Sequence, residues 1–193
     1  MVVLFQEHVL DSAAELVEVR YYTAPVLARM CDDPDSPHRQ RVYLQALRKM
    51  HPERIHIALG RIAATTPYQR LVKPIQEALH LERVQVYDFN EKKTDVNLAS
   101  DLLVGAWTGA YDQAVICSND TDLEAALAAV RQHHPSLRLG VVAPVPNSDH
   151  RFIAGDLKRY AHWSKALSMV HVANAQLPDR IPASSIRRPG AWS

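Results

Sequence analysis

Cysteine is scarce in this chain: Cys31 and Cys117 are its only two, they lie far apart, and they form no metal-ligand spacing. A small disulfide scaffold is thereby excluded, and two buried thiols in a reducing cytoplasm are expected. Long apolar runs are lacking too. No segment approaches the roughly eighteen uncharged apolar residues that a membrane helix needs, so a soluble protein with no membrane contact is expected. The start, Met-Val-Val-Leu-Phe-Gln-Glu-His, has neither a basic leader nor a small-residue cleavage site, which speaks against a secretory signal and for the cytoplasm. Internal repeats and low-complexity tracts are missing as well.

What is present is a globular composition, 47% apolar and 22% charged over 193 residues, enough for one domain with a real core. Net charge is +1, but it is unevenly spread. Residues 82–124 carry nine acids against three bases, and residues 151–193 seven bases against two acids. Carboxylates gathered for a cation and bases for a polyanion would look like this, and so would an ordinary solvated surface.

Strands alternate with helices along the chain. Residues 18–23 have strand composition, 35–51 read as a helix opened by Asp35-Ser36-Pro37, and 54–59 as a second strand. Pro67 can open a further helix, with a break at Pro74. A third strand is expected at 84–89, and a helix at 94–107 with Gly109 ending it. A buried strand at 114–117, a helix at 121–133 and a strand at 137–142 follow. Repeated β-α units of this length predict a parallel sheet between helices, with any site at the carboxyl ends of the strands. Residues 1–178 would form the single domain and 179–193 a Pro-containing tail on the surface.

Asp120 and Asp122 follow the strand at 114–117, and Asp95 follows the strand at 84–89, in the first turn of its helix. Asp95 should lean toward the sheet, and the three carboxylates can converge on its carboxyl edge. Crowded carboxylates repel, and a divalent cation that keeps waters for a phosphate relieves them. Helix capping is the other reading. Thr121-x-x-Glu124 has the form of a capping box, Thr94 can cap its helix, and first-turn acids are favoured by the helix dipole. Tyr21, Tyr22 and Trp107 read as packing, Asp101 as a solvent-facing or supporting group, and His51, His56, His133 and His134 as surface or satisfied core residues. Arg39, Arg41, Arg48 and Lys49 read as the wet side of an amphipathic helix.

The runs Glu91-Lys92-Lys93-Thr94-Asp95-Val96 and Ser118-Asn119-Asp120-Thr121-Asp122-Leu123, in that order and separation, resemble the NYN domain, a branch of the PIN-like nucleases. Weaker similarity covers Arg20-Tyr21-Tyr22-Thr23-Ala24 and Gln176-Leu177-Pro178-Asp179. The resemblance implies a three-layer α/β/α sandwich with a mainly parallel sheet and hydrolysis of RNA with Mg2+ or Mn2+. It assigns Asp95, Asp120 and Asp122 to the metal cluster and Ser118 to a supporting hydroxyl. Lys92, Lys93 and Asn119 are then the expected contacts to single-stranded RNA, the Arg187-Arg188 pair weaker ones, and a homodimer a further expectation. The chain departs from the family in lacking a first strand that ends in an Asp-Gly-x-Asn type motif. Val2, Phe5, Val9 and Ala13 keep helical spacing instead, so Glu7 is not expected to replace the missing Asp, and activity of the chain as given is expected to be impaired. A non-catalytic RNA-binding or protein-interaction module is the alternative. A phosphatase using Asp120 and Asp122 is disfavoured by their late position.

Overall fold

Val2, Phe5 and Val9 lie on one stripe, and that stripe starts the structure. In a computed structural model describing residues 1–78, 80–144 and 153–190, α1 (Val2–His8) leads into β1 (Val19–Thr23), α2 (Ser36–Met50) and β2 (Ile55–Leu59). Four short strands follow: β3 (Arg61–Thr65), β4 (Tyr68–Arg70), β5 (Arg83–Gln85) and β6 (Asp88–Lys92). The rest alternates: α3 (Thr94–Thr108), β7 (Gln113–Cys117), α4 (Glu124–His133), β8 (Arg138–Ala143), α5 (Gly155–Tyr160), β9 (Trp163–Ala166) and α6 (Met169–Asn174). Arg151, counted above among the bases, lies outside the described residues.

The fold is mixed α/β, but its parallel strands form two groups rather than one sheet. β1 pairs with β2, while β7, β8 and β9 pair in that order, and no ladder joins β1 to β7 among the described residues. Helix α1 links the groups by packing. Phe5 touches the cluster of Val2, Val19, Leu47 and Ile55 and also the cluster of Val9, Val142 and Leu167. On the other face α3 does the same. Its Asp101 meets β1, while Leu102 and Ala106 join the largest core, where Leu127, Val130, Leu139, Val141 and Leu157 are wholly buried. Each such aliphatic side chain contributes about 1.5–3 kcal/mol by leaving water.

The segment between β2 and α3 differs from the expectation of a helix at Pro67 and a single strand at 84–89. It is an antiparallel ribbon. β3 pairs with β6 from Arg61 opposite Lys92 to Thr65 opposite Asp88, and β4 with β5 from Tyr68 opposite Gln85 to Arg70 opposite Arg83. The register is the same in both, so this is one ladder with an interruption. Pro67 causes it: its carbonyl accepts from the Val86 N–H at 3.1 Å, but with no N–H of its own it cannot return the bond. A proline that looked like a helix opener instead sits between β3 and β4, on an edge that no third strand among the described residues covers.

β7 is less buried than expected, with only Ile116 fully covered. The tail closes a small turn of its own around the buried Ile181, with Arg180 bridged to Arg187 and Arg188 paired with Asp179 at 2.5 Å.

Candidate active site

Two junctions carry the residues singled out in the sequence. The first is the loop leaving β7. Ser118 Oγ accepts from the Asp120 N–H at 3.1 Å, and Asp120 Oδ1 accepts from the Asp122 N–H at 3.0 Å. Short polar side chains that bond the backbone two residues on are what turn a strand into a helix within a few residues. Buried Leu123 anchors the 3-10 turn Thr121–Leu123 that leads into α4. Asn119 Oδ1 accepts from the Ala154 N–H at 2.7 Å and fastens the start of α5 to the same loop. The capping group is therefore Asp120, not the expected Thr121 of a capping box. Ser118, Asn119, Asp120 and Asp122 share this one turn.

The second junction lies between the ribbon and α3. Lys93 adopts φ 82°, a left-handed conformation uncommon for a residue with a side chain, and the Asn97 N–H closes onto its carbonyl at 2.8 Å. Thr94 is the first helical residue and is buried, so the expected Thr94 cap is displaced by one position. The junction rests on Gly60, just beyond β2, where a Cβ would lie 2.6 Å from the Lys92 carbonyl oxygen and 2.9 Å from Thr94 Cγ2. Lys92, Lys93 and Asp95 are all exposed here, so Asp95 faces solvent rather than leaning onto a sheet. Its preceding strand is also antiparallel, which removes the route by which it was expected to reach the carboxyl edge. Gly60 supplies another: Asp95 stands at the carboxyl end of the β1–β2 group, Asp120 at that of β7.

Helix α3 packs against the 3-10 turn as well as β1, so one helix touches both junctions. Among the described residues no three His, Cys, Asp or Glu side chains gather closely enough to hold a metal ion. The donor chemistry fits Mg2+ or Mn2+, since all three candidates offer carboxylate oxygens, and Mg2+ is commonly held by one or two carboxylates completed by water and substrate phosphate.

Cys117 ends β7 beside this loop and is exposed, against the expectation of a buried thiol. Dense surroundings nonetheless push its thiol up to about 11, so it stays protonated at neutral pH. Trp107 is likewise exposed rather than core, its ring against His133 and His134.

A polar network on β1 escaped the sequence reading. Tyr22 Oη donates to Asp101 Oδ2 at 2.8 Å, Arg20 reaches the same oxygen at 3.3 Å and Glu18 at 3.2 Å, and His56 lies 3.4 Å from Glu18. Burial and then Asp101 raise the pKa of Tyr22; burial opposes the Arg20 charge, but Glu18 and Asp101 outweigh it and raise its pKa. Glu18, Arg20 and Tyr22 alternate along the strand, which was the available signal.

A mixed α/β chain with an acidic turn after a parallel strand, and a second acid heading a helix at the end of another, has the layout of a nuclease-like fold. The NYN domain model matches residues 14–162, and the chain belongs to the NYN family of the PIN-like superfamily. A curated protein of Pseudomonas putida, 6-hydroxy-3-succinoylpyridine 3-monooxygenase, is 32% identical over 208 residues, which covers 98% of this chain and 66% of that protein. The chain therefore spans about two thirds of the length of the curated relative it matches. A solved structure from Vibrio parahaemolyticus, of a protein of unknown function, aligns at 17% identity with a TM-score of 0.44, covering 78% of this chain and 68% of that one. No helix among the described residues is long and apolar enough to cross a membrane.

Proposed function

We propose that this NYN protein hydrolyses phosphodiester bonds of single-stranded RNA, using Asp95, Asp120 and Asp122 as carboxylates for Mg2+ or Mn2+. The observation that carries the reading is the turn leaving β7, where Ser118 and Asp122 hold Asp120 by its N–H and by one carboxylate oxygen, the other having no hydrogen bond among the described residues. A bound divalent ion would supply positive charge at the phosphate and a more acidic water. Lys92 and Lys93 stand beside Asp95 and contact backbone phosphates, while Asn119 braces the loop through Ala154. Arg188 is committed to Asp179 and the Leu177 carbonyl, which leaves Arg187 as the tail's contribution. A homodimer, a cytoplasmic location and a three-layer sandwich, with the two parallel groups as halves of its middle layer, belong to the same reading.

The test is cleavage of a labelled single-stranded RNA with Mg2+, Mn2+ or chelator, by the wild type and by Asp95→Asn and Asp120→Asn. Weak metal-dependent cleavage, impaired by the missing first-strand Asp and lost in both variants, is expected. RNA bound but never cut would establish the non-catalytic module instead. A second reading is favoured by the 32% identity to the Pseudomonas enzyme: action on a hydroxylated pyridine, tested by incubating the protein with 6-hydroxy-3-succinoylpyridine, O2 and a two-electron reductant such as a reduced nicotinamide, and following consumption of the pyridine.

A further inference from the structure

The ribbon exposes a face that the candidate active site does not use. Because Val86 bonds to Pro67 and Leu71 to Glu82, residues 67 and 86, and 71 and 82, are the hydrogen-bonded pairs of the ladder. Arg70 and Arg83 therefore face each other in a non-hydrogen-bonded pair, where side chains come closest. Like charges set directly opposite destabilise a ribbon. Both arginines are exposed, and neither has an ion-pair partner among the described residues. Tyr68 and Gln85 form the next pair on this face, and with the register unbroken Tyr87 and Phe89 continue it toward the root. Tyr68 is 66% exposed and Tyr87 75%, and the Tyr87 ring stacks on Phe89 at 6.1 Å with only 12° between planes. The face thus runs from stacked rings to an unneutralised arginine pair, over roughly 20 Å from Phe89 to Arg83 at about 3.4 Å per residue.

We propose that this face is a binding arm for single-stranded RNA: Tyr68 and Tyr87 stack bases, and Arg70 with Arg83 clamps the backbone phosphates between them. It rests on the RNA reading above and deepens it, since the arm's last residue, Lys92, leads through Lys93 into Asp95, so a strand held on the ribbon is delivered to that junction. Single strands suit the face because exposed rings accept any base while paired bases offer none, and a phosphate removes the repulsion that the free arm carries. The exposed apolar tip, with Val72 at 97%, Ile75 at 38% and Leu81 at 39%, marks docking of another protein as the competing use.

The test is fluorescence anisotropy of a labelled oligouridine with the whole chain, with melting temperature as the folding control. Replacing both Tyr68→Ala and Tyr87→Ala should weaken binding roughly tenfold or more, as removal of base stacking does, while Tyr68→Phe with Tyr87→Phe should keep it. Arg70→Ala with Arg83→Ala should weaken binding and flatten the salt dependence by about 1.4 in log–log slope, near 0.7 for each phosphate that an arginine neutralises. All these variants should melt no lower than the wild type. No RNA binding by the wild type, or unchanged affinity in the alanine variants, overturns the proposal. So does a change in self-association rather than in RNA affinity, which would make the arm a protein-docking surface. If RNA is cut with affinity insensitive to the arm, the arm proposal fails and the hydrolysis reading stands; if the arm binds and nothing is cut, the reverse holds.

Discussion

The Tyr22 hydroxyl donates to Asp101 Oδ2 at 2.8 Å, joining β1 to α3 across 79 residues of sequence. The bond ties a strand of the smaller parallel group to the helix whose first turn carries Asp95. Removing the hydroxyl in Tyr22→Phe leaves Asp101, among the described residues, with the Arg20 contact alone. A loss of about 1–2 kcal/mol in unfolding free energy is expected from a hydrogen bond to a charged acceptor, measured by urea denaturation. Asp101→Asn, which keeps an acceptor, should lose less.

Alkaline pH should unfold the protein for a related reason. Tyr22, Tyr43 and Tyr111 are all raised above the ordinary phenol value, chiefly by burial, with Asp101 adding to Tyr22 and Tyr21 to Tyr43. Tyr43 and Tyr111 reach about 12 each. Below an unfolded pKa of about 10 both states are protonated and this contribution is complete; above it the unfolded chain releases protons first, so stability falls until the folded groups also ionise. Melting at about pH 8 and about pH 11, with phenolate absorbance followed alongside, should show the transition temperature drop as the tyrosines titrate on unfolding.

Asp120 has two separable roles. Asp120→Ala removes the side-chain oxygen that accepts from Asp122 and should cost about 1 kcal/mol, as removal of a cap does. Asp120→Asn keeps an acceptor and should fold like the wild type. On the proposed function, millimolar Mg2+ or Mn2+ raises the melting temperature of the wild type by binding its native state, and that rise disappears in Asp120→Asn. An equal rise in both would place the metal elsewhere.

Lys93 carries a conformation that glycine adopts freely. Lys93→Gly should therefore leave the fold intact or stabilise it by up to about 1 kcal/mol, an effect read by thermal melting. RNA affinity should fall in the same variant if the Lys93 ammonium meets phosphate, so stability and binding move in opposite directions.

The longer helices, and the strands β1, β2, β7 and β8 of the two parallel groups, were legible because their patterns are local: α2 between Asp35 and His51, α3 up to Gly109, and the apolar run of β8; β9, four residues paired only through β8, was not. Gly109 is a clear case, since its φ of 66° is what a helix end needs. The ribbon was not legible, because Pro67 and Pro74 have the same chemistry at a helix start as beside an unpaired strand edge, and only the partner strand tells them apart. The order of Asp120 and Asp122 on their turn could be read, down to a cap of the right kind one residue from the expected one. The exposure of Asp95 could not, because it depends on Gly60, a residue that touches the junction only after β2 has folded beneath it.

Among the described residues no ladder joins β1 to β7, so the spacing of the two junctions is left to other contacts. Within a continuous sheet, the hydrogen-bond ladder fixes the spacing of strand ends as rigidly as teeth on a rack. Here Asp95 heads α3 at the end of one parallel group and Asp120 follows the other, and the two are coupled by Phe5, by the Lys165 ammonium bonded to the Val9 carbonyl at 2.7 Å, and by α3, which packs on both. The distance between the acids is accordingly a product of the packed interior, and substitutions at Phe5 or on the inner side of α3 reach the site without touching it.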